Sequence, residues 1–386
     1  MMTQNLRSRW RTIRPLLADY TGWSLQEPAS LEDHLDAALE WIARAQDQTG
    51  SGGVARSYSL TKGWAAAYPE TTGYIIPTVF EFAKRPDRES FRDRAIRMAD
   101  WECEIQLEDG SVRAGTLDAP VVAPAVFNTG QVLLGWCRAY RETWDERYAE
   151  SGKRAAEWLV AHLDDDGVWR RGLSPFSQPG EHTYNARTAW ALALAGQVLK
   201  RPDFGEAAIR ALDRVMGNRN AEGWFSHCCL TDNARPLLHT IAYTLRGLLE
   251  GGLVLGRDDY LEAARQGAAR LAAVQRPDGS LAGRFDEHWR PTVKWVCLTG
   301  LAQTSIIWLK LFERQRDEKL LRSARQANFY LRRTQDLRHP DPGVTGGIKG
   351  AFPINAPYGS YEYLNWATKF FADALMLEES LAGALD

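Results

Sequence analysis

The sequence predicts an all-α fold, a closed (α/α)6 toroid of six helical hairpins, on three observations. A phrase of Gln, two residues and Asp-Gly at 106–110 returns at 275–279 and, in degraded form, along the whole chain. Alternate segments place apolar residues at three- and four-residue spacing with charges between them. The segments in between are apolar or small almost all round, and strand-like alternation is scarce.

The repeat sets the register. Gln46, Gln106, His162, Asn218, Gln275 and Gln335 open six turns at intervals of 60, 56, 56, 57 and 60 residues. One supersecondary unit of about 57 residues is therefore written six times. Its first helix is amphipathic, as in 30–46 and 259–275, and belongs to an outer ring. Its second, as in 186–199, carries almost no charge and belongs to a buried inner ring. Asp-Gly or Gly-Gly breaks the chain between them. Pro69, Pro124, Pro236, Pro291 and Pro357 stand near the starts of five inner helices, where a missing N–H costs little. An open solenoid also stacks helix pairs, but it needs polar capping repeats, and here the first and last inner helices are as apolar as the middle ones. Residues 1–386 are read as one toroid domain, with 1–29 as an N-terminal extension or first helix.

Composition fits a large buried core: 386 residues, 45% hydrophobic, with 15 Trp. A net charge of −2 gives no global pull toward nucleic acid or membrane. The five cysteines, 103, 137, 228, 229 and 297, are odd in number and lack a framework spacing, so they read as reduced thiols of a cytoplasmic protein. No apolar run reaches the roughly 18–20 residues of a membrane span, and the first twenty residues lack a signal-peptide apolar core.

The Gln-x-x-Asp-Gly-Ser phrase at a hairpin turn resembles the repeat of the α/α-toroid superfamily: terpenoid cyclases, protein prenyltransferases and six-hairpin glycosidases. The likeness spans the chain and is architectural. The segment 346–379, GGIKGAFPINAPYGSYEYLNWATKFFADALMLEE, is also similar to uncharacterised bacterial proteins of exopolysaccharide synthesis, which implies carbohydrate.

In such a toroid the loops from outer to inner helices form the mouth. Arg56, Arg113, Arg170, His227 and Arg284 recur in these loops every 57 residues, and Lys349 follows after 65. They read either as turn braces or as a basic collar that grips a carboxylate or phosphate. The inner-helix starts add polar groups that a merely packing helix would not bury. Among them are Glu70, Asn128, His182, Tyr184, Asn185, Arg187, His239, Tyr243, Trp295 and Tyr361. The densest cluster is EHTYNAR at 181–187. Arg and Asn can neutralise a uronate carboxylate while His182, His239, Tyr184 or Tyr243 exchanges the C5 proton. Elimination then makes a lyase, and reprotonation on the other face makes an epimerase. Toroid polysaccharide lyases resemble this set in residue type. Hydrolysis needs two carboxyl groups across the sugar. Glu70 is the best acid, with Asp164, Asp165, Asp166, Asp286 and Glu287 in the mouth loops.

Other chemistries fit less well. LDDDGVW at 163–169 is acidic but sits in a turn, and no DDxxD is present for a diphosphate-bound cation. SHCCL at 226–230 has zinc-ligand types, but adjacent residues do not easily share one tetrahedral ion. The expectation is a metal- and cofactor-independent enzyme that cleaves a glycosidic bond in an acidic oligo- or polysaccharide, by β-elimination or hydrolysis. Uronate epimerisation and non-catalytic glycan binding are the alternatives, and a terpenoid cyclase or prenyltransferase is disfavoured.

Overall fold

The repeated glutamine is a clamp. Gln106 donates its side-chain amide to Gly110 O (2.8 Å) and to Ser151 O (2.9 Å), and Gln275 does the same to Gly279 O and Ser323 O, both at 2.9 Å. Gln46 bonds Gly52 O and Arg94 O, and Gln335 bonds Gly346 O and His34 O. Each clamp holds its own turn and a neighbouring outer helix. Asp109 and Asp278 cap the same turns by accepting from the N–H and hydroxyl of Ser111 and Ser280. Gly110 and Gly279 sit at φ 91° and 87°, and a Cβ on Gly279 would lie 2.2 Å from Gln326 O.

The computed structural model describes residues 2–382, with side chains from residue 12 onward; residue 1 and residues 383–386 of the predicted domain lie outside the described residues. A helix α1 (Met2–Thr21) precedes the repeats. The outer helices are α2 (Leu31–Asp47), α4 (Phe91–Glu104), α6 (Glu146–Ala161), α8 (Pro202–Gly217), α10 (Asp258–Ala273) and α12 (Glu318–Thr334). The inner helices are α3 (Pro69–Phe82), α5 (Val126–Thr143), α7 (Ala186–Val198), α9 (Leu238–Leu255), α11 (Leu298–Gln315) and α13 (Asn365–Ala382). Each inner helix packs on the next, and α13 packs on α3, so the ring closes. The outer helix α2 covers α13, and Gln335 joins the last turn to the first outer helix.

The core lies between the two rings. Trp41, Trp136 and Trp308 are wholly buried, and Trp41 and Trp308 donate their indole N–H to Gly343 O and Ala268 O. Glu102 is also buried, with both carboxyl oxygens unpartnered among the described residues, and burial pushes its carboxyl well above the usual carboxylate range. Among the described residues no helix is long and apolar enough to cross a membrane, and all five cysteines are free.

The inner-to-outer connections are short, and the outer-to-inner loops are long and meet at one end. Small antiparallel pieces knit these loops: β1 (Ser57–Ser59) lies between β2 (Gly63–Trp64) and β5 (Glu362–Leu364), and β3 (Val296–Cys297) pairs with β4 (Ala351–Phe352). Pro69 is at the first position of α3, while Pro291 and Pro357 lie seven and eight residues before α11 and α13, inside the mouth loops rather than at helix starts.

Candidate active site at the mouth

The six inner helices present equivalent positions to the toroid axis, one layer per helical turn. The sixth residue of α3, α5, α9, α11 and α13 gives Tyr74, Gln131, Tyr243, Gln303 and Phe370, and Arg187 takes the corresponding place on α7. These residues form a waist. Arg187 lies at its centre, 5.1–5.5 Å from the ring centroids of Tyr74, Tyr243 and Phe370, and donates from Nε to Gln131 Oε1 at 2.5 Å.

Four residues earlier, one turn nearer the mouth, stand Glu70, Phe127, Thr183, His239, Thr299 and Trp366. Glu70 is in the first turn of α3 and accepts a 2.6 Å hydrogen bond from the Tyr68 hydroxyl. Burial raises its carboxyl to about 7, while the Tyr68 hydrogen bond and the charges of Arg187 and Arg56 pull the other way. The side chain is only partly exposed, so the carboxyl has shed most of its water yet still faces the mouth. Glu70 in turn adds to the upward shifts of Tyr74, Tyr184 and Tyr243, all pushed up first by burial.

His239 shares this layer. Its Nδ1 is 2.7 Å from the Gln303 amide nitrogen, and its ring packs against Tyr243 and Tyr358. Burial, then Arg187, pushes it down to about 3, so it is neutral at physiological pH and a weak base. Tyr184 packs edge-on against Phe127, whose ring also meets Tyr243. The axial cluster thus contains Glu70, Tyr184, Arg187, His239 and Tyr243.

His182 stacks on Tyr184, 4.9 Å between ring centroids, but it and Asn185 face away from the axis. They line a narrow cleft with Trp169 and Arg214, between their own loop and the outer helix α8. His182 Nε2 bonds Gln178 O at 2.7 Å. The segment runs through a 3-10 turn at Thr183–Asn185 into α7, which turns Tyr184 and Arg187 to the axis and Asn185 away.

The basic register is mostly paired off rather than forming a free collar. Arg170 is clamped by Asp164 (2.9 Å) and Asp166 (2.6 Å) on an exposed surface. Lys349 forms a buried ion pair with Asp19 at 2.5 Å. Arg113 donates to Ala119 O, and Arg284 to Arg235 O. His227 is exposed at φ 57°, and its carbonyl accepts from Thr183 N. Three of the six positions fall on backbone bridges, Arg113 with Pro124, Leu237 with Arg284 and Lys349 with Tyr363. Asn128 serves the same loops, donating to Arg113 O. Asp286, one of the loop carboxylates, is tied to Arg290.

Arg56 is the exception that reaches the site. It lies 5.3 Å from the Trp366 ring centroid, contributes to the field at Glu70, and pairs with Glu362 at 2.9 Å. Trp366 donates to the Tyr358 hydroxyl at 2.8 Å. Tyr361 and Trp295 are half-buried in the mouth loops, Trp295 lying flat on Gly283. Sequence reasoning missed Glu362, Trp366, Tyr68 and Tyr358. Trp366 was within reach, since it stands one layer position from the chain of sixth-residue equivalents; the loop residues carry no such period.

No protein-family model matches the sequence, and no curated protein is similar to it. Solved structures are similar in fold. An unsaturated glucuronyl hydrolase specific for heparin superposes with a TM-score of 0.74 at 18% identity, over 92% of this chain and 98% of that one. The unsaturated glucuronyl hydrolase from Bacillus sp. GL1, responsible for glycosaminoglycan degradation, gives 0.72 at 16% identity, over 90% and 96%. Cellobiose 2-epimerase from Bacillus thermoamylovorans gives 0.70 at 12%, over 90% and 98%. The fold is the α/α toroid. These likenesses cover nearly the full length of both chains, so the ring of six hairpins described above accounts for the whole of each match.

Behind the waist lies a second space on the axis. A cavity of about 530 Å³ is lined by the next inward positions of every inner helix: Pro77, Leu134, Trp190, Arg246, Ile306 and Asp373, then Glu81, Arg138, Leu194, Glu250, Lys310 and Leu377. It opens at the end opposite the mouth and its lining does not include Glu70, so this cavity and the candidate carboxyl are separate. We place the chemistry at the mouth because Glu70, raised to about 7 and in no ion pair among the described residues, stands there.

Proposed function

We propose that this protein is a carbohydrate-active enzyme that hydrolyses a glycosidic bond in an acidic, uronate-containing oligosaccharide at the mouth, with Glu70 as the proton donor. The observation that carries the reading is Glu70 itself, a carboxyl raised to about 7 at the head of an inner helix. A general acid is most effective with a pKa near the operating pH. Partly exposed aromatic faces, Tyr68, Phe127 and Tyr358, offer sugar-stacking surfaces beside it, and Arg56 supplies positive charge for a uronate. Glu362, joined to the site through Arg56, is a candidate for the second carboxylate. The solved structures of like fold include unsaturated glucuronyl hydrolases.

Elimination and epimerisation remain the second reading, since His239 and Tyr243 lie beside the same site. Against them, a histidine pushed down to about 3 is a poor base for a C5 proton. Acidic oligosaccharides with intact or C4–C5 unsaturated uronyl ends discriminate the reactions. Hydrolysis releases new reducing ends without a gain in the ultraviolet absorbance of the C4–C5 double bond, and Glu70→Gln abolishes it. A gain in that absorbance, lost in His239→Ala and kept in Glu70→Gln, overturns the hydrolase in favour of a lyase. Solvent deuterium entering C5 without cleavage identifies an epimerase.

A further inference from the structure

The rear cavity is built for charge but its charges do not cancel. Its three carboxylates each have a cation: Glu81 is bridged to Arg138, Glu250 to Arg246 and Lys310, and Asp373 to Lys369. Arg187 and Arg141 also line it, and neither forms an ion pair among the described residues. Cations in the last turn of an inner helix, such as Arg141, complement the negative end of that helix. Arg187 has no such explanation, because it stands at the beginning of α7. It is 2% exposed, and beyond the Nε bond to Gln131 its guanidinium has no acceptor among the described residues. A buried cation left in this way is costly, and an oxyanion in the cavity would restore its missing partner. The half-buried Trp190, 5.2 Å from the Arg187 guanidinium, adds an aromatic face to the same wall. The volume, about 530 Å³, suits a small ligand rather than a polymer.

We infer that the rear cavity is a second binding site, for a sugar-sized ligand carrying a carboxylate or phosphate, held by Arg187 and Arg141 and stacked on Trp190. The inference does not rest on the reaction proposed for the mouth, from which the waist of Arg187, Tyr74, Tyr243 and Phe370 divides it. The site is tested by calorimetric titration of the full-length protein with glucuronate, glucose 6-phosphate, glucose and inorganic phosphate. Titrations start from Arg56→Ala, which removes a cation of the mouth, and add Arg141→Ala or Trp190→Leu. Glucuronate or glucose 6-phosphate is expected to bind at least about tenfold more tightly than glucose or phosphate, and whichever is tighter identifies the oxyanion. Each added substitution is expected to weaken that binding about tenfold or more, with turnover of a mouth substrate by the corresponding single variants unchanged. Arg141 is exposed, so its replacement leaves folding intact and decides the matter even if Trp190→Leu is unstable. Loss of all binding in Arg56→Ala alone, equal affinity for the four compounds, or unchanged affinity in Arg141→Ala overturns the inference.

Discussion

Replacing Tyr68 by Phe isolates the tuning of Glu70. The ring and its edge-on contact with Trp366 are kept, and only the hydroxyl that donates to Glu70 at 2.6 Å is lost. That hydrogen bond favours the ionised carboxylate, so removing it raises the carboxyl further above its present value of about 7. A hydrogen bond to a charged group contributes about 1.5–3 kcal/mol, and one pKa unit is about 1.4 kcal/mol, so the shift is about one to two units. A proton donor must be protonated, so kcat/KM is flat on the acid side and falls tenfold per unit above the carboxyl's pKa. The expected profile for Tyr68→Phe has its alkaline limb displaced upward by about one unit or more. Reducing-end release measured across pH reads this directly. An unmoved limb, or one displaced downward, refutes the assignment of that limb to Glu70.

The same carboxyl enters the stability of the fold. Its folded pKa is raised from 4.5 to about 7, so its contribution is fully present below 4.5 and is lost as pH rises through about 7, by at most about 3 kcal/mol. Glu70→Gln, which cannot ionise, should show a smaller loss of stability over that window in denaturant titrations. Its turnover should fall by about two to four orders of magnitude. Lys349→Met leaves Asp19 buried with the Ile354 N–H as its one remaining partner among the described residues; a cost of about 3–5 kcal/mol lowers Tm by about 4–6 °C in calorimetry. Arg170→Ala should change neither Tm nor glycan affinity appreciably, because its ion pairs are exposed; a tenfold loss of affinity would restore the collar. Gln275→Ala strands two carbonyls in part-buried positions and should cost about 1–3 kcal/mol by chemical denaturation.

The architecture was legible because it is periodic. A glutamine that clamps one turn to the next outer helix must recur wherever the turn recurs, so Gln46, Gln106, Gln275 and Gln335 mark the units before any helix is assigned. The same periodicity misleads about function. The basic residues in register follow the repeated loop, three of them at backbone bridges, and most have found local partners. Glu70, Arg187 and His239 were visible as polar groups on apolar helices. Separating Asn185 from Tyr184 required the 3-10 turn that redirects the chain. Glu362 and Tyr358 come from a loop whose fold depends on contacts with β1 and α13, which no local pattern encodes.

The clasp between Gln335 and His34 has a consequence for how the chain may be cut. Covalently the toroid is a line, but the hydrogen bond from the last turn to α2 and the ion pair of Arg85 with Glu379 make its seam resemble every other junction. The end of α13 and the start of α2 lie on the side of the short inner-to-outer connections. A brief linker from residue 382 to residue 31 would reproduce an ordinary connection at the cost of α1 and the Asp19–Lys349 pair, and new termini opened at 144–145 or 256–257 would leave all four glutamine-clamped turns intact. The order in which the six units are translated is then immaterial to the ring they form.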